Sequence, residues 1–508
     1  MTPFALLPLV FLLPLLAALA IAARMGSGMS AEAAEAAESG TAHWATFTAA
    51  LAFFLLLAAD IAALYFGAPG RLDFGDWFAS GRIALPIAVL ADARALGFAT
   101  LVQLIGWIVL RFSRTYLHRE AGLHRFFFGM CLFMAGMQII VLAGDAALTF
   151  VGWELAGLAS WLLIGYDYAR PAATENALFA FITNRIGDAG FVLGLALAFH
   201  WVGSTDWLLF DDAALGKVSS RMLLFGFVVA AFAKSAQLPL SSWLPRALEG
   251  PTPSSAIFYG AIMVHAGIWL LIRCEPVFRT VPDIMIQIAL FGLATALWAW
   301  FSGLTQSDVK TSLVLATITQ LGLMVAEIGL GLFDLAYGHM LLHAAWRAWQ
   351  FLLAPSYMHR VSGQAWETSP APAWLVRRPW LYNVSLQRGW LESLMHAVVL
   401  RPAKTMGGDV AAFDLRVVTP LLGEPVTVVQ KPPNLEDAVR ATGVAGRLLA
   451  WAGDYLERVE QRLTQLAASA QAAKILQRAG LQLLELEALL ERPRYLLLLV
   501  AVTFMVIL

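Results

Sequence analysis

Lys234 stands in the stretch Ala233-Lys234-Ser235-Ala236-Gln237-Leu238-Pro239-Leu240, inside a run otherwise apolar enough to lie in lipid. An ionisable side chain at membrane depth costs at least about 2.5–3.5 kcal/mol on insertion scales, so such a group marks an ion pathway unless shown otherwise. Pro239 follows within two turns; it has no N–H and its ring clashes with the preceding turn, so the helix must break there. A break at that depth survives only where protein or a water-filled cavity satisfies the freed backbone groups. A buried lysine beside such a break has the chemistry of proton or cation transfer.

Other polar groups recur in neighbouring apolar runs. Glu154 stands alone in Gly152-Trp153-Glu154-Leu155. Asn184-Arg185-Ile186-Gly187-Asp188 places Arg185 and Asp188 at i, i+3, close enough to pair on one helix face. Gly250-Pro251-Thr252-Pro253 offers a second helix interruption at Pro251 and Pro253, and His265 follows in the same run. Lys310 closes Gln306-Ser307-Asp308-Val309-Lys310, and His339, His343 and Arg347 lie at i, i+4, i+8 on one face. Chains of acidic, basic and imidazole groups in consecutive membrane helices are how proton relays are built. Each has a plainer reading. Arg185–Asp188 is equally well a structural ion pair. His339 and His343 have metal-ligand spacing but no third ligand, so no metal is expected. His265 alone could be a hydrogen-bonded core residue. Glu154 and Lys234 are hardest to explain structurally, because each is expensive in isolation and each can bias the other's protonation.

These residues need membrane helices to hold them. The 508 residues are 59% hydrophobic and only 14% charged, with a mean hydropathy of +0.70. About twelve runs approach the roughly 20 residues needed to cross a bilayer. They centre near 4–23, 43–66, 91–112, 124–143, 145–166, 175–201, 222–246, 253–273, 282–303, 308–332, 335–356 and 493–508. The first run lacks a basic leader and precedes Arg24, so it reads as a retained span rather than a cleaved signal. The basic stretch Arg111, Arg114, His118, Arg119 and Arg125 would place the loop between spans three and four in the cytoplasm. A net charge of −1 gives no reason to expect a nucleic-acid partner. The two cysteines, Cys131 and Cys274, imply neither a disulfide framework nor a metal site. Neither a G-x-G-x-x-G nor a P-loop is present, and no cofactor is expected.

The organisation follows in five parts. Residues 1–122 read as N-terminal membrane helices, 123–275 as a first repeat holding a half-channel, and 276–356 as a shorter second repeat. Residues 357–434, rich in Pro, Trp and Arg, read as an irregular connector at the membrane surface. Residues 435–508 read as a long amphipathic helix, starting after an Asn434 cap, and a final membrane anchor. The fold class is thus an all-α polytopic membrane protein with discontinuous helices.

The stretches Gly152–Leu158, Asn184–Asp188, Lys234–Leu240, Gly250–Pro253, Gln306–Lys310 and His339–Arg347 resemble the antiporter-like subunits of respiratory complex I (the NuoL type) and of Mrp sodium/proton antiporters. The resemblance covers roughly residues 90–356. It implies an inverted repeat of five-helix units, each with a discontinuous helix, in which Glu154 and Lys234 are the ion-translocating pair. It also implies that the long helix after residue 434 lies laterally along the membrane. Three departures stand out. After the eleventh span no segment resembles the family's next helices, including the one bearing a Ser-Lys-Asp motif, so the second repeat is expected to be truncated. Arg347 occupies the place of the family's central lysine, and arginine does not release its proton. Tyr259 replaces a family histidine.

Those departures are similar to the membrane subunits of two-component DAB inorganic-carbon accumulation systems (the DabB type) of chemoautotrophic bacteria. That likeness implies a bacterial inner-membrane transporter subunit, itself no enzyme, which passes protons or sodium. It would couple the gradient to CO2/bicarbonate uptake by a DabA-like, zinc carbonic-anhydrase-like partner. Glu154 and Lys234 would form the half-channel, with Asp188 and Arg185 beside it, and His265, Lys310, His339 and His343 a lateral relay ending at Arg347. Two rival expectations are an ion-translocating subunit of a complex I or Mrp-type assembly, and a non-conducting membrane anchor for a peripheral enzyme.

Overall fold

The computed structural model describes residues 4–26, 31–80, 83–212, 216–361 and 371–413. Apolar runs become helices because a backbone in lipid must satisfy its own hydrogen bonds. In chain order these are α1 (Leu9–Gly26), α2 (Ala31–Phe66), α3 (Ala93–Tyr116), α4 (Leu123–Leu142), α5 (Ala146–Ile164) and α6 (Pro171–Trp201), then the one-turn α7 (Leu209–Asp212) and α8 (Lys217–Lys234). The short α9 (Trp243–Arg246) and α10 (Thr252–Ser255) precede α11 (His265–Arg273), α12 (Glu275–Arg279), α13 (Pro282–Gly303), α14 (Val309–Gly329) and α15 (Phe333–Val361). Among the described residues, nine helical stretches are long and apolar enough to cross a membrane. Three expected spans are not among the nine; one of them, 493–508, lies outside the described residues. The run 222–246 is a continuous helix only as far as Lys234, and the run 335–356 lies in α15, whose polar face carries His339, His343 and Arg347.

Aspartate side chains fix where several helices start. Asp92 accepts the Ala95 N–H (2.7 Å) at α3, Asp145 the Leu148 N–H (2.9 Å) at α5, and Asp308 the Thr311 N–H (2.7 Å) at α14. Between α2 and α3 the chain forms a hairpin, β1 (Gly70–Ser80) against β2 (Ile83–Ala91), antiparallel with Gly70 opposite Ala91 and Ser80 opposite Ile83. Its base is tied to the bundle where the Gly144 N–H donates to the Ala88 carbonyl (2.8 Å), and Arg71 pairs with both Asp73 and Asp206.

Glycines let three helix pairs approach backbone to backbone. A Cβ on Gly136 would stand 2.8 Å from the Gly152 carbonyl oxygen, one on Gly226 2.6 Å from that of Gly190, and one on Gly322 2.6 Å from that of Gly292. The α4–α5, α6–α8 and α13–α14 seams are therefore closed by small residues, the usual means of helix association where no water drives burial. Two of these seams hold the helices that carry Glu154, Asp188 and Lys234.

The chain divides into two units, residues 1–396 and 397–508. Within the expected connector, short helices α16 (Ala373–Val376), α17 (Pro379–Leu386) and α18 (Leu391–Met395) belong to the first unit. Pro379 begins α17 where a missing N–H costs nothing. The Ser385 hydroxyl of α17 donates to the Phe301 carbonyl of α13 (2.6 Å). Of the second unit, residues up to 413 are described, ending in α19 (Arg401–Phe413). The long amphipathic helix and terminal anchor expected over 435–508 lie outside the described residues.

Candidate functional site

Lys234 is the last residue of α8, only 2% exposed, with its charge at the helix's partially negative end. The backbone then turns through Ala236 in the left-handed region (φ 50°), and several of the freed groups find partners. The Gln237 N–H returns to the Phe232 carbonyl (2.8 Å), the Trp243 indole donates to the Ala233 carbonyl (2.9 Å), and the Leu238 N–H donates to the Thr295 hydroxyl (3.1 Å). Ser235 donates to the Val264 carbonyl across to α11 (2.6 Å). Gly267 permits that contact, since a Cβ there would collide with the Ser235 hydroxyl and the Ala231 carbonyl. The expected break at Pro239 is thus a capped, protein-satisfied helix end.

Around Lys234 stand Trp153 and Glu154 of α5 and Arg185 and Asp188 of α6. Arg185 Nη1 donates to Glu154 Oε2 at 2.5 Å and lies 3.3 Å from Asp188 Oδ2, so one guanidinium bridges two carboxylates. Glu154 Oε1 is buried with no protein donor. Among the described residues, no carboxylate lies within 4.0 Å of the Lys234 amine. Trp153 supplies the link instead. Its ring face lies 4.7 Å from Lys234 Nζ, and its indole N–H donates to Asp188 Oδ1 at 3.0 Å. The expected Glu154–Lys234 pair is therefore a five-residue cluster in which arginine holds the glutamate and tryptophan holds the lysine.

A second cluster joins α11, α14 and α15. His265 Nε2 and His343 Nδ1 are 3.0 Å apart, and Arg347 Nε donates to His343 Nε2 at 3.2 Å. Since the guanidinium can only donate, a neutral His343 carries its proton on Nδ1 and passes it toward His265. Arg347 also donates to Gln350 (2.7 Å). His339 sits between Glu327 (2.9 Å) and Gln320 (3.0 Å) of α14, its ring edge-on to His343 at 6.2 Å. Lys310 is engaged elsewhere, donating to the Thr252 hydroxyl (3.0 Å), which also meets Tyr116 (3.1 Å).

Pro251 and Pro253 serve the start of a helix. Pro251 is the N-cap of α10 and Pro253 lies in its first turn, where no N–H is required. The interruption falls later, at a π-helical segment over Ala256–Ala261, where the Ile262 N–H reaches back to the Ile257 carbonyl (2.8 Å) before α11 begins at His265. Trp153, Gln320, Glu327 and Gln350 were not singled out from sequence. Trp153 had a signal in its place beside Glu154 and Gln350 in its i, i+3 spacing from Arg347; Gln320 and Glu327 had little, because their partner His339 is on another helix.

Comparison with known proteins places this geometry. Residues 143–368 match the family described as NADH:quinone oxidoreductase/Mrp antiporter, TM, and residues 77–127 match that of the complex I chain 5 N-terminus. Residues 143–368 are therefore similar to the antiporter-like subunits of the complex I and Mrp type. Every site residue from Glu154 to Arg347 lies inside this stretch. NADH-ubiquinone oxidoreductase chain 5 of Pseudosoriculus fumidus is 35% identical over 313 residues, 62% of this chain and 51% of that protein. NAD(P)H-quinone oxidoreductase chain 5 of Synechocystis sp. is 36% identical over 298 residues, 57% and 44% respectively. The chain spans about half the length of the curated relatives it matches. The Mrp complex structure from Dietzia sp. DQ12-45-1b shares the fold with a TM-score of 0.61 at 24% identity, over 88% of this chain and 45% of that one. An archaeal membrane-bound sulfane sulfur reductase does so with a TM-score of 0.58 at 17% identity, over 70% and 57%. With nine candidate spans among the described residues and this similarity, the chain is a multi-pass membrane protein.

Proposed function

We propose that this chain is an ion-translocating subunit of a multi-subunit assembly of the complex I or Mrp type in a bacterial inner membrane, passing protons or sodium and performing no chemistry of its own. The observation that carries this reading is Lys234, buried at a helix end and held on the Trp153 ring beside the Glu154–Arg185–Asp188 bridge. A tryptophan face favours the ammonium by about 0.5–2 kcal/mol, a bias small enough to reverse when nearby charges move. Arg185 provides that movement. Resting on Glu154 it leaves Asp188 weakly held; shifted to Asp188 it frees Glu154, whose orphaned Oε1 is where an incoming proton or hydrated cation is received. A non-conducting anchor has no use for this cost.

A second reading couples the same flux to inorganic-carbon uptake by a DabA-like zinc carbonic-anhydrase-like partner. Arg347 favours it: a permanently charged guanidinium on His343 gives the far end a fixed positive barrier where a pump's second path would need a titrating group. The test for both is flux with Lys234→Ala in the assembled complex. Loss of proton or sodium flux with assembly retained supports translocation. Loss also of protonophore-sensitive bicarbonate accumulation in a carbonic-anhydrase-deficient host supports the second reading, and unchanged flux refutes both.

A further inference from the structure

A cavity of about 320 Å³ lies between the ends of α1, α4, α5 and α6, within the roughly 300–1,000 Å³ range of ligand-binding clefts. Among the described residues lining it, Arg125 alone is charged; Phe128, Trp161 and Leu162 supply apolar wall, and Trp161 and Leu162 are exposed on the outer surface of α5. Four helix ends set its depth. Arg125 is in the first turn of α4, Trp161 and Leu162 are in the last turn of α5, and Tyr166 and Tyr168 follow α5 directly. That is the level at which spans leave the bilayer and tyrosine and tryptophan collect. The Arg125 guanidinium lies over the Tyr168 ring at 4.4 Å and stands 5.8 Å from that of Tyr166. Among the described residues no carboxylate lies within 4.0 Å of it, and the neighbouring Asp167 is paired with Arg170 (3.2 Å). A guanidinium stacked on a ring keeps its N–H fork free in the plane, and that fork matches a phosphate bidentately. The cavity also touches the first charged cluster. Trp161 packs on Phe181 of α6, ring centroids 5.9 Å apart, and Arg185 lies over the Phe181 ring at 4.4 Å. Arg185 is the guanidinium that bridges Glu154 and Asp188.

We propose that this cavity holds an anionic phospholipid, its phosphate on Arg125 and the start of an acyl chain against Phe128, Trp161 and Leu162, and that the bound lipid fixes Trp161 and Phe181 beside Arg185. Lipid is the occupant that fits, because one part of the cavity is cationic, the rest is apolar, and it opens where headgroups meet acyl chains. A soluble anion would leave the apolar walls bare. A zwitterionic headgroup adds a cation beside an arginine that already lacks a counter-charge. The basic loop from Arg111 to Arg125 points to the cytoplasmic leaflet, the one whose surface is negative. The lipid's effect on Arg185 in transport rests on the ion-translocation reading; its binding does not.

The test uses the assembled complex in phosphatidylcholine vesicles that contain a phosphatidylglycerol with a photoreactive acyl chain. Labelling should fall on α4 and α5 at the cavity. It should drop about tenfold in Arg125→Gln, as the loss of a hydrogen bond to a charged group implies. It should stay unchanged in Arg114→Gln, which removes an exposed charge from the end of α3, outside the cavity. In the unsubstituted complex, where no variant can misfold, unlabelled phosphatidylglycerol should displace the probe, and neither further phosphatidylcholine nor inorganic phosphate should. Equal labelling in Arg125→Gln, an equal fall in Arg114→Gln, or displacement by phosphatidylcholine or phosphate overturns the site. Ion flux of the wild type should rise severalfold when phosphatidylglycerol is added to phosphatidylcholine vesicles, and rise less in Arg125→Gln; the same rise in both overturns the lipid's part in transport. If the unsubstituted complex carries no ions in either vesicle, the transport reading fails while the labelling still decides the site.

Discussion

Trp153 joins the two charged halves of the first cluster, its ring under Lys234 and its N–H on Asp188. Replacing it separates the two roles. Trp153→Phe keeps an aromatic face and loses the donor; Trp153→Leu loses both. We expect flux in the order wild type, Phe, Leu, with the leucine variant down about tenfold, as a lost cation–π contact of 0.5–2 kcal/mol implies. Equal flux in the two variants would mean the ring face does nothing. In the second cluster, Glu327→Gln keeps the hydrogen bond to His339 and removes the charge. Flux through an imidazole relay should fall with the hydrogen-bonded geometry retained, measured in proteoliposomes beside His339→Gln, which should be at least as severe. At this scale the sequence was legible where isolation made a residue costly. Lys234, Glu154 and the His339–His343–Arg347 face stand out in any apolar run. The His265–His343 contact did not, because the two are 78 positions apart and only packing of α11 on α15 brings them together. Arg185 was readable as a partner for Asp188, but its stronger hold on Glu154 depends on how closely α5 lies to α6.

At the level of elements, the site depends on helices held at glycine distance. Gly226 lies on α8 against Gly190 of α6, between the helices that bear Lys234 and Asp188. Gly226→Val forces backbone apart, and overpacking of this kind costs about 1–3 kcal/mol. We expect a lower melting temperature of the complex and a loss of flux, whereas Gly338→Ala, with open space around it, should change neither. Ser235→Ala removes the bond from the helix break to Val264, worth about 1 kcal/mol. A modest fall in thermal stability is expected, with a larger effect on flux because the break locates Lys234. The proline signals were read with unequal success for a physical reason. A proline after a buried lysine has to end a helix, whereas Pro251 and Pro253 suit a helix's opening turn, and the π-helical interruption at Ala256–Ala261 carries no proline at all. The β1–β2 hairpin was not anticipated, since the run between spans two and three was read only as a connection.

Among the described residues, Lys234, Asp188, His265, His343 and Arg347 are buried while many large apolar side chains are exposed. Leu290, Leu297 and Trp300 of α13, and Leu342, Trp346 and Trp349 of α15, are each more than half exposed, as suits lipid or neighbouring membrane subunits. The apolar composition made the membrane setting readable at once. The link from the α8 break to α11, where Ser235 donates to the Val264 carbonyl, was not, because it depends on where each helix breaks. The measurement that bears most directly on this account is ion flux through the assembled complex in proteoliposomes, wild type beside Lys234→Ala and Lys234→Arg. Flux abolished in both, with the complex intact, is the expected result, because alanine removes the amine and arginine keeps a charge it cannot release. Wild-type flux in the alanine variant would contradict the account.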